Sequence, residues 1–306
     1  MNPTPTDNHI HSIVINGLHG RMLRLPSRST GKQNDIVLMY GQHASLERMG
    51  GIAEVLSKYG RVTVPDLPGF GGMESFYTQN QAPNIDNFAS YLAEFIAREY
   101  DDDATITIVA MSFSFLIATR MLQLHPDLTL RVNLMVSFVG FLHHDDFHVP
   151  KPLFWLWRMV ATLCENRVGA ALWTKGFLSP PLIRAAYTIV AKTHPKMKDA
   201  SPKERKRRID FEIKLWHIND FRTRMHTLKI MLTADLSHQR VNMPVYHVAV
   251  KHDFYFDNSL VEQHMRAVYS DFTVMQASVD AHAPTIISTA AEAEPFIPQE
   301  LRTLLT

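Results

Sequence analysis

A single cysteine, Cys164, stands among 306 residues. It has no partner in the chain, so no internal disulfide braces the fold, and it reads as a small packed hydrophobe. Charge of neither sign is in excess. Lysine and arginine number 31 against 30 acidic residues, a net +1, which removes the electrostatic case for a nucleic-acid partner. No apolar run reaches the roughly 18 residues that a membrane-spanning helix needs. The start, Met1-Asn2-Pro3-Thr4-Pro5-Thr6, lacks the charged-then-apolar pattern of a secretory leader. Internal repeats and low-complexity tracts are absent. The expectation is a soluble, cytoplasmic protein, 46% apolar and 20% charged, with one core or one core plus an insertion.

Strand and helix signals alternate along most of the chain. Residues 11–25 predict an opening hairpin around Asn16-Gly17. Asp35 to Gly41, Val62 to Val64, Thr105 to Ala110 and Val132 to Val139 are short, apolar runs of the kind buried on both faces of a parallel sheet. Leu46 to Tyr59 and Ile85 to Tyr100 have helical spacing. The alternation resumes with strands at Val245–Val250 and Phe272–Val279, a helix at Leu260–Val268, and a tail from Ala290 broken near Pro295 and Pro298. Between them, residues 141–235 carry helical signal only, punctuated by prolines. The predicted fold class is α/β: a mostly parallel sheet with helices on both faces. Residues 1–140 and 236–306 would form the core domain, and 141–235 an all-helical lid inserted into it.

The run Thr105 to Ala118 passes from buried strand to apolar helix with no loop between them. A serine at such a corner is held in strained backbone geometry with its hydroxyl beyond the sheet edge, the logic of Gly-x-Ser-x-Gly elbows. Both glycines are missing here. The flanking positions must still be small, and around Ser112 they are Ala110 and Ser114. Around the competing Ser114 one of them is Leu116, which would clash. Ser112 is the candidate nucleophile; the plainer reading makes it the N-cap of the helix.

A serine hydroxyl needs a histidine base, and that histidine needs an acid. Downstream of Ser112, Asp253 and His282 each follow a predicted strand, in the order nucleophile, acid, base. Asp257 is the near alternative for the acid, and Asp145 or Asp146 after the preceding strand another. Oxyanion stabilisation asks for backbone N–H donors, worth about 2.7–4 kcal/mol each. Phe113, at the helix start, supplies one candidate. Gln42, in the loop where Gly41 lets the backbone approach, supplies the other.

Taken together, Tyr40-Gly41-Gln42-His43, Asp66-Leu67-Pro68-Gly69-Phe70-Gly71, the Ser112 corner, Asp253 and His282 resemble the α/β-hydrolase superfamily over about residues 13–305. The resemblance implies a serine-dependent hydrolase with a Ser112–His282–Asp253 triad, a helical lid and no cofactor. Its aspartate-nucleophile branches, the haloalkane dehalogenases and epoxide hydrolases, are disfavoured by the serine at 112. Besides the missing glycines, Tyr40 stands where the family often has histidine, and Val250 where it often has glycine.

All four tryptophans, Trp155, Trp157, Trp173 and Trp216, fall in the helical insertion. The apolar helix Phe154–Val160 reads first as packing on the sheet domain and the other lid helices. In the sharper reading Trp155 and Trp157, with His43, are candidate pocket residues for an apolar ester, with membrane-surface contact the lesser alternative. Lys203 to Arg208 reads as the solvated start of a helix. His143-His144-Asp145-Asp146-Phe147-His148 has metal-capable side chains, but its spacing matches no zinc pattern, and no metal is expected. Two function classes stay open. One is a serine esterase, with C–C hydrolysis or acyl transfer by the same triad as variants; the other is a non-catalytic binding protein that uses the lid pocket.

Overall fold

The computed structural model describes residues 7–29, 34–190, 200–279, 282 and 289–306. Eight strands form one sheet: β1 (Ile10–Ile15), β2 (Leu18–Leu25), β3 (Asn34–Met39), β4 (Gly60–Pro65), β5 (Ile106–Met111), β6 (Val132–Phe138), β7 (Val241–Ala249) and β8 (Tyr269–Gln276). Their spatial order is β1-β2-β4-β3-β5-β6-β7-β8. The hairpin β1–β2 is antiparallel, and β2 joins β4 antiparallel. Every other pairing is parallel. All six residues of β5 are buried. Side chains alternate between faces along a strand, so both faces must be covered.

The helices of this layer are α1 (Gly50–Leu56), α2 (Ile85–Glu99) and α3 (Phe113–Leu124). The predicted helix from Leu46 is split, because Leu46–Met49 forms a 3-10 turn before α1 begins. In α2, Phe88, Leu92, Phe95 and Ile96 are buried along one stripe, and the Asn84 side chain caps the helix through Asn87 N–H at 2.8 Å. β7 starts four residues before the predicted strand, and β8 three before its own, ending at Gln276.

Five helices lie between β6 and β7: α4 (Lys151–Cys164), α5 (Arg167–Phe177), α6 (Pro180–Val190), α7 (Pro202–Ile218) and α8 (Phe221–Met231). Their two ends are tied together, since His144 N–H donates to Ala234 O at 2.8 Å and Leu236 N–H to Leu142 O at 3.1 Å. Cys164, Ala170, Leu178, Ile183, Phe221 and Met225 form a small apolar cluster of their own. The outward side is apolar too, with Trp155, Leu163, Leu172 and Phe177 exposed. Among the described residues no helix is long and apolar enough to cross a membrane. The chain closes with α9 (Asn258–Val268), α10 (Ala290–Ala293) and α11 (Gln299–Leu305).

Register fixes where a site can form. Met39, Ala110, Ser137, His247 and Val274 stand side by side across five strands. Residues just beyond that row therefore collect at one carboxyl edge of the sheet, the edge at which open parallel sheets bind ligands.

Candidate active site

Ser112 is the hinge between β5 and α3, with φ 50° and ψ −117°. This is backbone a side chain rarely adopts and costs about 1–3 kcal/mol. Ser112 does occupy the N-cap position of α3, but its side chain caps no helix N–H, so the strain is not repaid by a capping bond. The corner is held by Ser112 N–H donating to Phe138 O at 2.9 Å. Ser114 is fully buried and gives its hydroxyl to the Tyr40 carbonyl, which removes it as a nucleophile and ties α3 to the loop after β3.

That loop passes close over Ser112. A Cβ on Gly41 would lie 3.3 Å from the Ser112 Cβ and 3.5 Å from Met111 O. The Gln42 amide donates to Arg224 O at 2.9 Å and to Thr227 Oγ1 at 2.8 Å, so its side chain is anchored on α8 and only its backbone is left for the site. Among the described residues neither Gln42 nor Phe113 donates its backbone N–H to a backbone carbonyl; Phe113 opens α3, where such donors are free by geometry.

Asp253 and His282 meet. Asp253 Oδ2 lies 2.6 Å from His282 Nδ1, and Asp253 Oδ1 accepts Tyr255 N–H at 2.7 Å and Phe256 N–H at 3.1 Å. Burial pushes the Asp253 carboxyl up, but the His282 bond and charge and the two backbone donors outweigh it and hold it below its usual range. Asp280, Ala281, Ala283 and Pro284, which flank His282 in sequence, lie outside the described residues. Beneath the pair, His247 is bonded to Ser137 at 2.9 Å, and burial lowers its pKa to about 4 despite Asp253, so it is neutral.

The other acids are engaged elsewhere. Asp257 caps α9 through Ser259 and Leu260 N–H. Asp146 is fully buried, accepts Leu142 and His143 N–H, and pairs with His264 Nδ1 at 2.5 Å. Asp145 is exposed. The metal-capable atoms of His143, His144 and Asp145 come within 4.8 Å of one another. In the same cluster His143 Nδ1 accepts Asp145 N–H, and His144 Nδ1 faces Ala234 O at 3.0 Å. This cluster sits where the helical segment leaves the sheet.

The Asp66 loop braces the site from below. Asp66 is fully buried and accepts Tyr40 OH at 3.0 Å, Leu46 N–H at 3.1 Å and Arg21 Nη2 at 2.8 Å. Tyr40 OH in turn accepts Leu67 N–H at 2.7 Å. Gly71, with φ 65°, is required there, because a Cβ would fall 1.8 Å from Asp66 Oδ1.

A cavity of about 420 Å³ opens above Ser112 and His282. Gly41, Gln42, His43 and Met111 line it from the sheet side; Trp157, Leu228 and Met231 line it from the helical segment. Trp155 does not. It is 61% exposed, with Arg158 over its ring, which corrects its expected place in the pocket. Residues two apart on a helix point to nearly opposite sides, so both could not face one cavity. The lining also holds Arg48, Tyr187, Glu212 and Arg224. Sequence spacing gave no sign of these four, which lie on helices and turns far apart in the chain.

No protein-family model and no curated protein sequence matches the chain. Solved structures do. The N-formylmaleamic acid deformylase of Pseudomonas putida superposes with a TM-score of 0.63 at 14% identity, over 94% of this chain and 98% of that one. The enol-lactonase of Burkholderia xenovorans gives 0.64 at 15% identity, over 96% and 98%. The epoxide hydrolase CorEH gives 0.65 at 14% identity, over 97% and 96%. The chain has the α/β-hydrolase fold. Three chemistries on one fold mean that the reaction must be argued from the site.

Proposed function

We propose that the protein is a serine-dependent hydrolase of carboxylic esters, with Ser112 as nucleophile, His282 as base, Asp253 as orienting acid, and residues 141–235 as the lid over the site. The reading rests on one observation above all: a serine held at φ 50° without a capping bond opens onto the same cavity as a histidine already oriented by a buried aspartate. His282 Nδ1 is committed to Asp253, which leaves Nε2 as the proton acceptor. As Ser112 Oγ attacks the ester carbon, its proton passes to Nε2 and the carbonyl π pair moves onto oxygen. The Gln42 and Phe113 N–H groups receive that oxyanion. Collapse expels the alkoxide, which takes the proton from Nε2, and leaves an acyl-serine. Water then attacks the acyl carbon, giving its proton to Nε2, and Ser112 recovers it as the acid departs. Every group these steps need is a side chain, a backbone N–H or water. The fold neighbours include a lactonase and a deformylase, which supports acyl chemistry in general; the ester is chosen because it asks for nothing beyond this set.

A fluorophosphonate probe tests the reading. Covalent labelling of the wild-type protein and of Ser114→Ala, and none of Ser112→Ala, is the expected result. Equal labelling of Ser112→Ala, or none of the wild type, would refute it.

A further inference from the structure

The charged residues of the cavity do not balance. Its lining holds two arginines, Arg48 and Arg224, against one carboxylate, Glu212. Both Glu212 oxygens are taken, Oε1 by Arg48 Nη2 at 3.0 Å and Oε2 by the Tyr187 hydroxyl at 3.2 Å. Arg224 is left over. Among the described residues its guanidinium makes no ion pair and no side-chain hydrogen bond, and its Nε is buried without a partner. Arg224 is part-buried, and burial lowers its pKa to about 10 although Tyr187, Glu212 and Tyr255 act the other way, so an anion bonded directly to its guanidinium is favoured. Its position is nonetheless fixed. The guanidinium stacks 3.9 Å over the Trp216 ring, and that ring lies 4.5 Å from His43 in the Gly41 loop. Stacking on the face leaves the N–H edge for an oxyanion, and a planar fork suits a carboxylate held by two parallel bonds. Between the Arg224 wall and the Ser112–His282 face, Met111, Trp157, Leu228, Met231 and Phe256 give the lining an apolar stretch.

We infer that Arg224 is a specificity-determining residue, and that the substrate carries a free carboxylate at the end of a short apolar chain. As a statement of substrate class this rests on the serine-hydrolase reading; as a binding site it stands without it. The Arg224 backbone carbonyl accepts the Gln42 amide, so the carboxylate subsite and the proposed oxyanion loop are one hydrogen bond apart. An anion seated on Arg224 is thereby registered against Ser112.

Calorimetric titration with hexanoate and with hexanamide, its neutral isostere, reads the charge alone. The wild-type protein should bind hexanoate at least about tenfold more tightly. Arg224→Met keeps the stem over Trp216 and should abolish the preference, whereas Arg224→Lys, which keeps the charge, should retain part of it. Equal affinity for the two ligands in the wild type, or a preference that survives in Arg224→Met, would overturn the inference. Equal affinity in the wild type overturns the inference whether or not the variants fold, and Arg224→Gln is the second neutral replacement should Arg224→Met fail to fold. The outcome is independent of catalysis: loss of fluorophosphonate labelling with an intact hexanoate preference would sink the hydrolase reading and leave this site standing.

Discussion

Replacing Asp253 by asparagine changes one atom and should remove nearly all turnover. The reason lies in the two backbone donors. Oδ1 accepts the N–H groups of Tyr255 and Phe256 at 2.7 and 3.1 Å, and the side chain is only 2% exposed. An asparagine that turned its NH₂ toward those donors would leave a buried clash of hydrogens, costing about 1–3 kcal/mol per unsatisfied group. Its carbonyl oxygen must therefore stay there, and the NH₂ must face His282 Nδ1 across the 2.6 Å contact. Nδ1 then accepts, the imidazole proton moves to Nε2, and the nitrogen that should receive the Ser112 proton already carries one. The imidazolium formed during attack also loses its counter-charge. Together these put the expected loss in kcat near ~10⁴, or about 5.5 kcal/mol. The assay is hydrolysis of a p-nitrophenyl ester, with the melting temperature as control, since both backbone bonds persist and the fold should hold. Asp257→Asn, at the N-cap of α9, should leave turnover unchanged. Activity of Asp253→Asn within about tenfold of wild type would refute the tautomer argument and the assignment of the acid.

Three further outcomes follow from the same geometry. His247 has its pKa lowered from 6.5 to about 4 by burial, so the unfolded chain takes up its proton first; stability is complete above about pH 6.5 and falls by about 3 kcal/mol on the way to pH 4, a slope that denaturant titrations should find flattened in His247→Gln. Ser112→Gly should abolish ester turnover while raising stability by about 1 kcal/mol, because glycine accepts φ 50° without strain; a lower melting temperature would argue against stored strain. Trp157→Ala should shift the kcat/KM ratio of long to short acyl esters by about tenfold, while Trp155→Ala, out in solvent, should leave it alone; the reverse ranking would place the acyl pocket on the other side of α4.

What the sequence could tell was local. Ser112, Asp253 and His282 each follow a run of strand residues closely, and parallel strands deliver such residues to one edge whatever the details of packing. The choice among Asp253, Asp146 and Asp257 stays open in the sequence, because all three follow or neighbour strand ends. It turns on which carboxylate histidine 282 reaches, and the structure gives Asp146 to His264 and Asp257 to a helix cap. The charged wall of the cavity was out of reach altogether. Arg48 and Glu212 are 164 residues apart, and no motif in the sequence links them. A helix announces its apolar stripe, not which of its polar residues the rest of the fold will bury. The same limit applies to Trp155 and Trp157, whose phase on α4 is set by the packing of α4 on α8, not by their own sequence.

The departures from the usual pattern turn out to be linked. Without glycine after the nucleophile, the position two residues beyond Ser112 carries a hydroxyl, and that hydroxyl is bonded to the Tyr40 carbonyl. Without histidine before Gly41, Tyr40 turns its own hydroxyl to Asp66 and to the Leu67 N–H. One residue thus receives the Ser114 side chain on its backbone and anchors the Asp66 loop with its ring. Ser114 and Tyr40 join the proposed nucleophile corner to the proposed oxyanion loop through a side-chain contact that a glycine at 114 could not make. Small size at 110 and 114 satisfies the steric demand of the corner; the Ser114–Tyr40 bond adds rigidity where the reaction would need its donors fixed.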